Sequence, residues 1–145
     1  WPESQGPGAP VTHVLDTMVV SALMRSDAAT IARLRALPRA AVAVPQPVFA
    51  EIAYGLARLR PSKRRTRLAG RLELLRGELA RVAWTDQVSD AFGRVKADLE
   101  RRGERIEDFD ACIAAHALAH EAVLVSENLA HMARVRGLTV ERWGP

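Results

Sequence analysis

Four polar residues stand at or just beyond apolar runs of the 145-residue chain: Asp16 after VTHVL, Glu51 inside VFAEIAYGL, Asp110 within DFDACIAAHALAH, and Asn128 after AVLVSE. Singly, each has an ordinary explanation. Asp16 reads as a helix N-cap, Glu51 as a solvated helix face, Asp110 as a first-turn acid favoured by the helix dipole, and Asn128 as the cap of a short helix. Jointly they read differently, because all four can converge on one edge of a sheet. Two unit charges about 4 Å apart repel by roughly 4 kcal/mol at an effective dielectric of 20. Converging carboxylates therefore take up protons or gather around a cation. Three acids and an amide form an all-oxygen set that suits Mg²⁺ or Mn²⁺. Such an ion can activate water and stabilise charge on a phosphodiester.

The elements that must position these residues alternate in type. Residues 11–15, 41–44, 81–84, 122–126 and 138–141 are short apolar runs with strand character. Between them lie stretches with helical spacing over residues 17–25, 28–37, 48–59, 62–79, 86–103 and 108–120, with a short helix at 129–134. Asp86 is a candidate cap, and Pro38, Pro45 and Pro61 punctuate the pattern. Strands alternating with helices imply βαβ units and a parallel sheet covered on both faces. The expected fold is a three-layer α/β domain, whose functional groups gather beyond the carboxyl ends of the strands. Residues 1–10, WPESQGPGAP, have no apolar period and no charged start. They are expected to be a cloning-derived or flexible lead-in rather than a secretion signal, with one domain over residues 11–145.

Composition narrows the function. The chain is 48% hydrophobic and 26% charged, values of an ordinary globular protein and not of a disordered one. No apolar run approaches the roughly 18 residues of a membrane span. A single cysteine, Cys112, rules out an internal disulfide and fits a reducing compartment. Lys and Arg number 21 against 17 acids, and the pI is near 10.2. The cations cluster between Arg58 and Arg76, where only Glu73 opposes them. Arg58, Lys63, Arg64, Arg65 and Arg67 are the candidates for contact with a phosphate backbone; the ordinary alternative is a solvated helix face. Aromatics make up 5% of the chain, so no base-stacking platform is visible. His116 and His120 share a helix face at i, i+4, but Ala117 stands where a metalloprotease motif needs Glu. They read as a packed or partly exposed face, and Cys112 reads as core.

The strings VLDTMVVSALMR, VFAEIAYGL, DFDACIAAHALAH and AVLVSENLAHMARVRGLTVERW, in this order and spacing, resemble the PIN-domain ribonucleases. More narrowly, they resemble VapC-type toxins of bacterial toxin–antitoxin pairs. The resemblance spans residues 11–143. It implies a three-layer α/β/α PIN-like domain with a short parallel sheet, and metal-dependent endoribonuclease activity with Mg²⁺ or Mn²⁺. The family's acids map to Asp16, Glu51 and Asp110, and its fourth position to Asn128. Thr17 and Ser126 match the small hydroxyl residues that support the metal site. Met18 departs from the usual Asn, and His131 falls where an acid often follows the fourth motif. The implied roles make Asp16 and Asp110 the principal metal ligands. Glu51 acts through water, and Asn128 holds water without adding charge. Cleavage would leave a 3′-hydroxyl and a 5′-phosphate.

The resemblance also implies a homodimer, a tRNA or ribosomal RNA loop as substrate, a VapB-type antitoxin as partner and a bacterial cytoplasmic setting. The antitoxin's extended segment would lie across the acidic pocket with an Arg among the carboxylates. The apolar stripes at 28–37 and 48–59 are candidates for the receiving groove. A non-enzymatic alternative is a PIN-like module that binds RNA or protein with a weakened metal site. The absence of a Gly-rich phosphate loop disfavours nucleotide-cofactor functions. Met18 takes the place of the second Asp that a haloacid-type phosphatase needs.

Overall fold

A computed structural model describes residues 10–144. The expected lead-in falls almost wholly on residues 1–9, which lie outside the described residues. The strands are β1 (His13–Leu15), β2 (Val42–Pro45), β3 (Ala80–Val82), β4 (Val123–Val125) and β5 (Val140–Glu141). They form one sheet in the order β3-β2-β1-β4-β5, and every pairing is parallel. Val14 sits opposite Ala43 on one side and Leu124 on the other. Apart from His13 the central strands are apolar; Val14, Leu15, Val42, Val44 and Leu124 are fully buried. That absence of alternation is what a parallel sheet between two helical layers requires.

The helices are α1 (Thr17–Met24), α2 (Ala28–Arg35), α3 (Gln46–Ala57), α4 (Lys63–Glu78), α5 (Asp86–Arg101), α6 (Asp108–Ala119) and α7 (Leu129–Met132). With the sheet they make the three-layer α/β/α arrangement. The capping follows the sequence. Asp27 accepts from the backbone N–H and hydroxyl of Thr30 at the start of α2. Gly103, with φ +67°, ends α5 by letting Glu104 N–H reach back to the Leu99 carbonyl. In α5, Val88, Ala91, Val95 and Leu99 form the buried stripe. α6 is buried without interruption from Ala111 to Ala117, and its alanines let α5 pack closely along it.

Three local expectations are corrected. β3 occupies Ala80–Val82 and not residues 81–84, because its partner β2 ends at Pro45, opposite Val82. Trp84 then leaves the sheet; its indole N–H donates to Ser89 Oγ at 2.7 Å. α3 starts two residues early, at Gln46, since Pro47 is well placed in a first helical turn where no N–H is needed. The cap of α5 is Thr85, whose hydroxyl accepts from Val88 N–H, and Asp86 is the first helical residue.

His116 belongs to the core. It is fully buried, Nδ1 lies 2.8 Å from the Cys112 carbonyl, and Nε2 has no partner. Burial lowers its pKa below the ordinary 6.5. The folded chain therefore holds His116 neutral at pH values where the unfolded chain is protonated, so its contribution to stability falls away below pH 6.5. His116→Leu removes the unpaired nitrogen and leaves the Cys112 carbonyl its helical N–H. We expect a gain of about 1 kcal/mol at pH 7.5 and a larger gain at pH 5.5, read by urea unfolding at both pH values.

Candidate active site

In the order β3-β2-β1-β4-β5 the chain leaves β1 in one direction and returns on its other side at β4. The ends of β1 and β4 thus flank the point where the strand order reverses, which is where open α/β sheets place their ligands. Asp16 follows β1 and Ser126 follows β4, and both are buried. Asp16 N–H bonds to the Val125 carbonyl at 2.9 Å, so the two strand ends are tied together.

Both carboxylate oxygens of Asp16 are held. Oδ1 accepts from Thr17 N–H at 2.7 Å and Oδ2 from Ser126 Oγ at 2.6 Å. Burial raises the Asp16 pKa, and these two hydrogen bonds oppose the rise. The Thr17 hydroxyl donates to Glu51 Oε1 at 2.6 Å, which brings α3 to the same point. Asp110 arrives on the first turn of α6. Its carboxyl is pushed up to about 6, chiefly by burial and next by the negative charges of Asp16 and Glu51, while His131 pulls it down. Asn128 N–H donates to Ser126 Oγ at 3.0 Å, extending the chain of bonds from Asp16 to α7.

The structure therefore gathers Asp16, Thr17, Glu51, Asp110, Ser126 and Asn128. Among the described residues, no three His, Cys, Asp or Glu side chains stand close enough to ligate one ion together. The donors fit a hard divalent cation that takes one or two carboxylates directly and keeps water in its remaining positions, the habit of Mg²⁺. The mutual repulsion that raises Asp110 is the charge such a cation would offset.

The profile of the PIN domain matches residues 13–138. The chain belongs to the PIN domain family. Among curated proteins it is similar to ribonuclease VapC2 of Rickettsia felis, 28% identical over 102 residues, covering 70% of this chain and 74% of that one. It is also similar to the tRNA(fMet)-specific endonuclease VapC of Shigella flexneri, 25% identical over 133 residues, covering 90% and 96%. Among solved structures, VapBC2 from Rickettsia felis bound to a promoter DNA fragment superposes with a TM-score of 0.82 at 24% identity, over 92% of this chain and all of that one. DNA-bound VapBC from Salmonella typhimurium gives 0.82 at 21%, over 92% and 99%. At these identities the structural likeness is one of fold.

Met18, where the resemblance led us to expect Asn, is 58% exposed. Thr17 N–H and Ser126 Oγ already occupy one oxygen each of Asp16, so Met18 leaves neither oxygen bare. A groove of about 280 Å³ opens beside the site, with Thr17 and Glu51 at its polar end and Met24, Ile52, Leu56 and Leu68 along its apolar length. It lies between α1, α3 and α4. The 48–59 stripe lines it; the 28–37 stripe does not. In α2, Leu34 is buried in the core and Arg33 pairs with Glu141 of β5 at 2.8 Å, so that helix is spent on the sheet edge.

The basic residues of this PIN domain divide by role. Arg64 lines the groove, Lys63 and Arg67 are exposed on α4, and Arg58 stacks over Tyr54 at 5.3 Å. Arg65 donates to the Leu59 carbonyl and so ties the end of α3 to α4. Sequence reasoning gave His131 no part in the site. Its ring lies 3.0 Å from Asn128 Nδ2 and it is one of the groups that act on Asp110. The i, i+3 spacing of Asn128 and His131 was the signal available.

Proposed function

We propose that this PIN domain is a metal-dependent endoribonuclease of the VapC toxin type, using Mg²⁺ with Mn²⁺ as substitute. It cuts a tRNA or ribosomal RNA loop, which inhibits translation in a bacterial cytoplasm. The observation that carries this is the convergence of Asp16, Glu51 and Asp110 at the strand-order reversal, with Asp110 raised to about 6. The ribonuclease names of the curated relatives support it.

The residues divide the work. Asp16 and Asp110 would hold the cation. A cation held there would supply Lewis-acid stabilisation of phosphodiester charge, and hydrolysis by water would leave 3′-hydroxyl and 5′-phosphate ends. Two donors fix Asp16, so its geometry is set before substrate arrives. Glu51 has Oε1 taken by Thr17 and orients the attacking water with its other oxygen. Asn128 adds a polar contact without adding charge. Incubation with total bacterial RNA and Mn²⁺, with and without EDTA, followed by mapping of new 5′ ends, tests the assignment. Metal-dependent cuts at a defined loop support it. RNA bound and left intact in Mn²⁺ favours a binding module with a weakened metal site, a reading supported by the finding that, among the described residues, no three carboxylates stand within reach of one ion.

Two partners follow. The groove fits an extended apolar segment of a VapB-type antitoxin, ending in an Arg whose guanidinium pairs with the carboxylates and replaces the cation's charge. Trp84 and Phe109 are exposed around the small side chains of Ala50 and Ala53, a face suited to a second copy in a homodimer. The RNA path runs over Lys63, Arg64 and Arg67. Replacing these three with Ala should lower the slope of log K against log salt by about 2 and weaken all RNA binding alike. Arg65→Ala should instead cost stability, through the lost bond to Leu59. Salt titrations of RNA binding and thermal melts separate the two.

A further inference from the structure

The second residue beyond Asn128 on the surface of α7's first turn, Ala130, is followed by His131, and this imidazole has a defined tautomer. The Asn128 amide nitrogen Nδ2, which can only donate, lies 3.0 Å from His131 Nδ1. Nδ1 is therefore the acceptor and the ring hydrogen sits on Nε2. Among the described residues, Nε2–H has no acceptor. The ring is half-buried and lies within electrostatic reach of Asp110. Asn128 is in turn anchored through Ser126 Oγ to Asp16 Oδ2, so the ring is fixed relative to the buried carboxylate by three successive hydrogen bonds.

This arrangement separates two chemical roles. A ring nitrogen that ligates a metal must offer a lone pair. Here the Nδ1 lone pair is taken by Asn128, and Nε2 carries hydrogen. His131 is thus set up to donate to an anionic oxygen. Asp110 is the acid within electrostatic reach of the ring, and Glu127 on its own segment is paired with Arg142 at 2.8 Å. Among the described residues Nε2–H makes no hydrogen bond to a carboxylate, so it is open to an incoming phosphate oxygen.

We propose that His131 is a substrate-binding residue, whose Nε2–H, oriented by Asn128, hydrogen-bonds a non-bridging phosphate oxygen of the RNA at the cleavage site. The proposal rests on the ribonuclease assignment above. An acid at this position would add a cation ligand and repel the phosphate; histidine contributes a donor and no negative charge.

The test pairs RNA binding without metal against metal binding without RNA. End-labelled total bacterial RNA is titrated with protein in EDTA by filter binding, and Mn²⁺ alone is titrated by calorimetry. His131→Ala should weaken RNA binding by about 10-fold and leave Mn²⁺ affinity within about 2-fold. His131→Gln, which keeps a donor near the Nε2 position, should recover most of the binding. His131→Glu should bind RNA more weakly than Ala. RNA affinity unchanged in His131→Ala, or Mn²⁺ affinity lost in it, overturns the proposal. If the wild type cleaves RNA while His131→Ala binds it normally, only the histidine's role is wrong. If the wild type neither binds nor cleaves RNA, the ribonuclease assignment falls and this role falls with it. A circular-dichroism melt of each variant guards against loss of fold.

Discussion

Asp16→Asn should lower RNA cleavage by about 10³-fold or more, while the chain folds as before. A bound cation contributes several kcal/mol of charge stabilisation, and each 1.36 kcal/mol is about a factor of ten in rate. Asp16 is the most enclosed of the three acids, with both oxygens held and the side chain 5% exposed. The fold tolerates the change because the amide oxygen still accepts from Thr17 N–H, and the Ser126 hydroxyl can turn to accept from the new NH₂. The expected loss in stability is about 1 kcal/mol or less. Removing the charge should also bring the Asp110 pKa down from about 6, since Asp16 is one of the causes of its rise. Cleavage of total RNA in Mn²⁺ gives the rate, and carboxyl NMR gives the Asp110 titration. Full activity in this variant would refute the assignment of the site.

The second large effect is on stability, through Asp110 and the cation. An Asp carboxyl in the unfolded chain titrates near 3.8, and in the fold Asp110 titrates near 6. Between these values the folded chain holds a proton that the unfolded chain has released. The stability from this group is thus present in full below pH 3.8 and is lost as the pH rises through about 6. At neutral pH the apo protein carries an unneutralised cluster. We expect a cost on the order of 1–2 kcal/mol after allowing for solvent screening. A divalent cation that offsets the charge should raise the melting temperature by on the order of 5 °C at pH 7. At pH 5 the rise should be much smaller, because the proton already occupies the carboxyl. Asp110→Asn should raise the melting temperature of the metal-free protein at pH 7 and abolish the response to Mn²⁺. An equal response to Mn²⁺ at both pH values would show that binding does not involve Asp110.

Much of the fold was legible because the signals are local. Short apolar runs bounded by Pro, Asp and Ser marked five strands, of which β3 sits earlier than its run suggested. Helical spacing gave α5 its buried stripe, including Leu99 at 2% exposure. The errors arose where pairing overrode pattern. Trp84 looks like a strand residue, but no β2 residue remains opposite it once Pro45 hands over to α3. The apolar spacing of α2 looks like groove wall, yet Arg33 and Leu34 commit that helix to the sheet edge and core.

The sequence by itself determined which chemistry was available: carboxylates at the ends of apolar runs, hydroxyls beside them, one amide and a basic helix. Residue type and spacing are properties of the chain, and they survive whatever the chain does next. Only the tertiary structure decided which oxygens face which donors. Ser126 lies 110 positions from Asp16 and bonds to it at 2.6 Å, and Thr17 reaches across 34 positions to Glu51. It also decided that the Asn128–His131 pair belongs with the acids and that Arg65 serves the fold. Hydrogen bonds act over about 3 Å, and contacts between distant positions arise only when the β1 and β4 ends are laid side by side.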